Sequence, residues 1–403
     1  MSAGALKPRW GQPLTGIVSF GVFFVIALVT WFIFSDPRGP IKWFPYPFVM
    51  YLAMMILVGI WQHMLLADWP FQNIEQPKRG IIMTIVNLVL VWFVIDILFY
   101  RVLGIGFNFL NYYGLEAIGK PVLFAQVAVV CFVLIGFFTY PVSTIFFGKW
   151  PIQPSNIKQP AAGLAEIGWG SFLTLFCYAV LIVPFFGTVL PGPALNPSWW
   201  TGIGGTPHVH WVFGWWEWAI VILFMTPNVW RMKPWSLITL PQPWKGIVSV
   251  LLSLIFAYIL ALVCKTIIPM WVPAETFQQL EEAKGLAEVQ RFFWIHSAEI
   301  AGFTLIPFLI WHHYFDDIAF GLDKDGWSAF LVRTSGVLLL AAGSYWIFYY
   351  GNFGHWALGN HHMDELAHRF PHGESLVWNF WWIIPLLWNE WFFHKWPFYI
   401  HAK

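Results

Sequence analysis

Charged side chains are scarce in this sequence: Asp, Glu, Lys and Arg make up 10% of its 403 residues, where soluble domains carry about 25%. So little charge cannot clothe a water-facing surface, and an apolar share of 59% needs lipid around it. The net charge of +1 leaves no field for nucleic acid or for an acidic partner. The three cysteines, Cys131, Cys177 and Cys264, stand inside apolar runs without CxxC spacing, which excludes a disulfide framework and makes them buried thiols. Alternation of apolar and polar residues is missing too, which excludes lipid-facing barrel strands. Nucleophilic triads and phosphate loops find no support, and "GIGGTP" at 202–207 follows a helix where a dinucleotide site needs a strand.

What is present is a succession of apolar runs, each of the roughly 20 residues that cross a bilayer as helix, and a mean hydropathy of +0.64. The 29 tryptophans suit the membrane interface, where an apolar ring with one N–H is at home. The first run, about Ile17 to Phe34, has no small-residue cleavage signature and reads as a retained helix rather than a signal peptide.

A repeat orders these runs. Gln-Pro-x-x-Gly occurs at Gln12–Gly16, Gln76–Gly80, Gln159–Gly163 and Gln242–Gly246, each time before a long apolar run, and a weaker fifth form, "LDKDGW", ends at Gly326. A Trp/Pro element (Trp69-Pro70, Trp150-Pro151, Pro234-Trp235, Trp396-Pro397) stands near the end of the units. The expectation is an all-α polytopic membrane protein, a single domain of about ten transmembrane helices in five two-helix units: about 12–70, 76–151, 159–235, 242–316 and 326–397. The predicted spans are 17–35, 44–66, 81–100, 122–147, 165–189, 209–230, 246–270, 290–313, 327–350 and 377–394. An even count puts both termini and every repeat turn on one face. That face carries twelve Lys and Arg against seven opposite, so the positive-inside rule places the termini in the cytoplasm, in a bacterial inner membrane. The longer, dissimilar connections, about 101–121, 190–208, 271–289 and 351–376, fall on the outer face, where function is expected.

Eight of the 13 histidines fall at that outer face. "HWALGNHHMDELAHRFPH", residues 355–372, predicts a short interfacial helix from about Asn360 to Phe370, with His361, Glu365 and His368 on one side and Asp364 also within reach of His368. Glu-x-x-His spacing sets two metal ligands side by side, and His372 lies just past the stop at Pro371. His296 and Glu299 stand one turn apart in "HSAE". The expected metal ligands are therefore His361, Glu365, His368, His372, His296 and Glu299, with His208, His210, His355, His362 and Asp364 as additional ones. Imidazole and carboxylate suit a transition metal, iron or copper ahead of zinc. Haem b is a lesser alternative, because His296 and His312 sit at opposite ends of one predicted helix. "WHHYFDD" offers a second site on the other face from His312, His313, Asp316 and Asp317. Asp96, Glu217, Lys265 and Arg333 are ionisable residues inside predicted spans, which mark functional positions by default.

The sequence points first to an integral-membrane metalloprotein, an oxidoreductase or a subunit of one, with its centre near the periplasmic surface and a small or hydrophobic substrate. A transporter or channel with a pH-sensing histidine cluster is the competing reading. A non-catalytic subunit that docks an external redox partner is the third. The expected partners are the lipid bilayer and other membrane or periplasmic subunits. The chain points to no known family, and the histidine-box spacings of membrane di-iron desaturases and alkane hydroxylases are absent.

Overall fold

The computed structural model describes residues 6–36, 38–41, 49–102, 121–182, 210–316, 326–351, 353–358 and 374–401. The helices are α1 (Leu14–Phe34), α2 (Val49–Ile60, prolonged by a π-helical turn Trp61–Leu65), α3 (Lys78–Trp92, prolonged as π-helix Phe93–Val102) and α4 (Pro121–Ile145). They continue with α5 (Ala161–Leu181), α6 (His210–Asn228), α7 (Trp244–Ile267), α8 (Ala274–Lys284) and α9 (Leu286–Tyr314). The last three are α10 (Trp327–Tyr349), α11 (Phe353–Leu358) and α12 (Glu374–Trp391). Among the described residues there is also one small ribbon, β1 (Leu6–Pro8) antiparallel to β2 (Tyr399–His401), which puts β1 and β2 on one face. Each of the ten predicted stretches contains a helix among its described residues.

These helices form two concentric layers. In the inner ring α2 packs on α4, α4 on α6, α6 on α9, α9 on α12, and α12 returns to α2. Outside them lie α1, α3, α5, α7 and α10. Side-chain chemistry sorts the layers. The outer helices turn Ile17, Ile85, Phe176, Ile255 and Leu339 outward as exposed apolar groups, a surface that water would not tolerate and lipid requires. Among the described residues six helices are long and apolar enough to cross a membrane; in the five outer ones 22–33% of the apolar window is buried, against 72% in α9. This is the architecture of an all-α membrane protein. Small residues on the inward faces let the layers approach closely, as with Gly246, Ser249, Ser253, Ala257 and Ala261 on α7.

The Gln-Pro-x-x-Gly stretches all form the same joint. Pro caps the start of the outer helix, while the Gln side chain bridges back to the C-terminus of a ring helix. Gln12, Gln76, Gln159 and Gln242 each donate from Nε2 at 2.8 Å to the backbone carbonyl of Tyr314, Phe392, Leu65 and Phe146 respectively. Each Gln Oε1 accepts from the motif glycine N–H, at 3.0–3.3 Å. The bond satisfies a carbonyl that a helix end leaves without a partner. Glycine is required because the next ring-helix residue lies against its Cα: a Cβ at Gly16 or Gly246 would fall 2.5 Å from the Phe315 or Phe147 ring. The ring-helix C-termini therefore share the face of the outer-helix N-termini, and the five ring helices run parallel.

The fifth joint departs from the sequence expectation. Gly326 precedes α10, and Ala329 takes the third helical position that the motif glycines hold in the other outer helices. The ring-helix carbonyl in question, that of Val229, is served by Arg333 Nη1 at 3.3 Å instead of by a glutamine. The connection 271–289, expected as a loop, holds α8 and the first turn of α9, joined at Gly285 with φ +87°. Phe277 and Leu280, one turn apart on α8, give it an apolar face, and Phe277 packs on Phe292. The helix predicted over 360–370 lies outside the described residues.

Candidate functional site

The ring encloses a cavity of 310 Å³ lined by residues of all five inner helices. Its depth follows from the register set by the capped carbonyls of Leu65, Phe146, Val229, Tyr314 and Phe392. His63, Thr144, Asn228, His313 and Glu390 all lie one or two residues before those positions, so they ring the mouth on the termini face. Glu217 lies twelve residues before Val229, about 18 Å deeper along α6. Between the two levels the wall is apolar, with Ile60, Ile220, Leu309 and Ile383 among its residues. Beyond Glu217 the ring is packed: Met50, Met54, Val133 and Trp216 are 0–2% exposed.

Glu217 is 3% exposed. Helical spacing puts it in line with Ile220, Phe224 and Asn228, which also line the cavity. Its neighbours are tied elsewhere: Trp215 Nε1 donates to the Leu254 carbonyl at 2.8 Å and Trp218 Nε1 to Ser297 Oγ at 3.2 Å. Those anchors on α7 and α9 fix the rotation of α6. Among the described residues no hydrogen bond or ion pair engages the Glu217 carboxyl group.

Two ionic groups stand at the mouth. Glu390 lies 3.4 Å from His313 Nδ1 and 3.5 Å from Lys395 Nζ. In the second, Asp68 accepts from His63 Nδ1 at 2.9 Å, from His394 Nε2 at 3.2 Å and from Arg79, tying the first repeat turn to the last. Asp68 is placed by two successive left-handed residues, Ala67 and Asp68, before Trp69. Burial opposes its charge, but the bonds from His394 and His63 and the guanidinium of Arg79 outweigh it and hold its carboxyl well below the usual carboxylate range. Donor atoms of His63, Asp68 and His394 lie within 4.8 Å of one another, a spacing that a metal ion could bridge. Arg79 on the same carboxylate already supplies a cation there, which argues for an ion-pair network. The sequence reading gave these residues no role. The available signal was that "ADWP" and "HKWP" replace "GKWP" at one repeat position.

On the opposite face the structure places His296 and Glu299 together, 1% and 0% exposed. His296 Nδ1 is hydrogen-bonded to Glu299 Oε2 at 2.7 Å, and its Nε2 to the Tyr345 hydroxyl at 2.6 Å. Phe292 stacks on the imidazole at 5.3 Å between centroids. A metal at His296 has to displace one of these two partners.

The other expected positions are distributed differently. His361, His362, Asp364, Glu365, His368, His372, His208 and Asp317 lie outside the described residues; His210 begins α6 and His355 lies in α11, their side chains undescribed. Of the second expected site, Asp317 lies outside the described residues, and the described members are engaged separately. Asp316 accepts from Gln12 Nε2 at 2.7 Å and from the Tyr399 hydroxyl at 2.9 Å, as part of the first joint, while His313 turns to Glu390. Of Asp96, Glu217, Lys265 and Arg333, Glu217 alone lines the cavity. Asp96 accepts from the Tyr51 hydroxyl at 2.8 Å, Lys265 lies 4.0 Å over the Trp294 ring, and Arg333 caps α6. No protein-family profile, curated protein or solved structure matches this chain.

Proposed function

We propose that the chain is a ten-span integral-membrane protein of five two-helix units, with its termini in the cytoplasm of a bacterial inner membrane, and that its inner ring is a path for a small cation. One observation carries the reading: five parallel helices surround one cavity that has ionisable groups at its mouth and a single carboxyl group at its deep end. Five helix C-termini bring partial negative charge to the mouth. Pro141, Pro227, Pro307 and Pro385 lie inside four ring helices, and each withholds the N–H that the carbonyl four residues earlier would receive. Carbonyls and a carboxylate are cation-directed groups. Five units do not divide into two equal inverted halves, so the path is axial rather than between two rocking halves.

Reconstitution into liposomes tests this. Flux of protons or alkali cations driven by a membrane potential is expected, and Ile220→Trp, which fills the cavity, is expected to abolish it. Wild-type vesicles no leakier than protein-free ones refute the conduit.

A second reading rests on the His296–Glu299–Tyr345 group. With His361, Glu365, His368 and His372 of the connection that follows α11, it would form the iron or copper centre of a membrane oxidoreductase for a small or hydrophobic substrate. Stoichiometric metal in the purified protein, lost in the His361→Ala/His368→Ala double variant, is the expected result. A metal-free wild type refutes it.

A further inference from the structure

We infer that Glu217 is a reversible proton-binding site at the deep end of the ring cavity, and that the cation the conduit handles is the proton. The inference rests on the conduit reading and gives it a ligand.

The argument starts from what surrounds the carboxyl group. An unpaired carboxylate is costly away from bulk water, and the cost is relieved by a nearby cation, by coordination to a metal ion, or by taking up a proton. The first is excluded among the described residues by position. The ring neighbour α4 carries no Asp, Glu, His, Lys or Arg. On α7, Lys265 is held over the Trp294 ring and Lys245 lies in the first turn, at the termini face. On α9, His296 is engaged with Glu299 and Tyr345, and His313 with Glu390 at the mouth. Arg333 of α10 caps the far end of α6. Across the cavity, His63 and Glu390 also belong to the mouth. None of them is bonded to Glu217.

Coordination of a metal ion by the lining side chains fails on ligand number. Alkali and alkaline-earth ions need about six oxygen ligands, whereas the side chains lining the deep half with Glu217 are Ile56, Phe137, Ile220, Leu305 and Phe380. A proton needs one oxygen. The step balances: the carboxylate oxygen gains an O–H bond while a hydronium ion in the cavity loses one and becomes water, and when the gradient reverses the carboxyl O–H breaks and water takes the proton back as hydronium. The mouth groups His63, His313 and Glu390 are of the chemistry that exchanges protons with water, and the apolar wall above them keeps other cations from a site with a single ligand.

Two measurements decide the matter. Infrared difference spectra of the purified wild-type protein, recorded as a pH titration, are expected to show a protonated-carboxyl band that titrates reversibly and is missing from Glu217→Gln. In proteoliposomes holding a pH-sensitive dye, Glu217→Gln is expected to lower proton flux at least tenfold, with Glu217→Asp between the two. A band unchanged in Glu217→Gln, or no titrating band in the wild type, overturns the inference. Flux within twofold of wild type in Glu217→Gln also overturns it, while leaving the conduit standing. A titrating Glu217 in a protein that passes no cation at all defeats the conduit and leaves only the proton site. Should Glu217→Gln not fold, the wild-type titration and Glu217→Asp carry the decision.

Discussion

Replacing Gln242 with Met tests the joint that recurs through this fold. The side chain makes two hydrogen bonds, from Nε2 to the Phe146 carbonyl at 2.8 Å and at Oε1 from the Gly246 N–H at 3.1 Å. Met keeps the length and much of the packing of Gln and removes both. At a net value of about 1 kcal/mol each, the loss is about 2 kcal/mol, and larger if the helix-terminal carbonyl of Phe146 stays dry. Gln242→Glu separates the two contacts: it retains the acceptor for Gly246 and sets a carboxylate oxygen against a carbonyl oxygen. At neutral pH it is expected to cost at least as much as Met and to recover in acid, when protonation restores a donor. Reversible unfolding in mixed detergent–SDS micelles measures both variants directly. A Met variant within about 0.5 kcal/mol of wild type, or a Glu variant more stable than Met at neutral pH, refutes the idea that the glutamine holds the two layers together.

Gly246→Leu should lower stability by at least about 2 kcal/mol, because the side chain must displace the Phe147 ring; an unchanged unfolding midpoint contradicts that packing. Asp68→Asn should cost about 3 kcal/mol at neutral pH by leaving Arg79 and two histidines around a neutral amide. Since the Asp68 carboxyl is held below its ordinary value, its contribution is complete above about pH 4 and fades as the pH falls toward the folded value. The gap between wild type and variant should therefore narrow in acid, and a gap independent of pH would show that the charge is not what matters. His296→Ala should destabilise by about 2 kcal/mol or more, since Glu299 loses a buried hydrogen-bond partner, and Glu299→Gln should partly rescue it; absence of rescue argues against that pairing.

The helices of this fold were legible in the sequence because lipid imposes a simple rule: apolar runs must be helices, and a repeated turn must recur in one structural role. Gln12, Gln76, Gln159 and Gln242 announced that role by their spacing. The fifth joint was not legible, since Arg333 performs by a long side chain from within the helix what glutamine does before it, and no spacing rule connects the two. The ring was hidden for a related reason. Inner and outer helices are equally apolar in composition, and only packing shows that Glu217 faces a cavity while Lys265 rests on an aromatic ring. Histidine density drew attention to the stretch around His361, yet His63 and His394, 331 residues apart in sequence, come together on Asp68 because the last ring helix packs on the first.

The orientation of the helices bears on the sign of the path. Five parallel neighbours set like dipoles side by side, an unfavourable arrangement that the antiparallel outer helices offset, each lying across the ring with its positive N-terminus at the same face. The cancellation is uneven in space. On the ring axis the five C-termini are nearer than the outer N-termini, and the effect of a helix end fades within a turn, so the potential at the mouth stays negative while the periphery is positive. Among the side chains, Glu390 faces the cavity with Lys395 beside it at 3.5 Å, and Lys78, Arg79 and Lys245 belong to the first turns of outer helices. An anion path would need the opposite arrangement, with inward helix N-termini and cations on the axis. Reversed selectivity, with chloride flux exceeding that of protons, would therefore contradict the helix directions themselves as well as the role of Glu217.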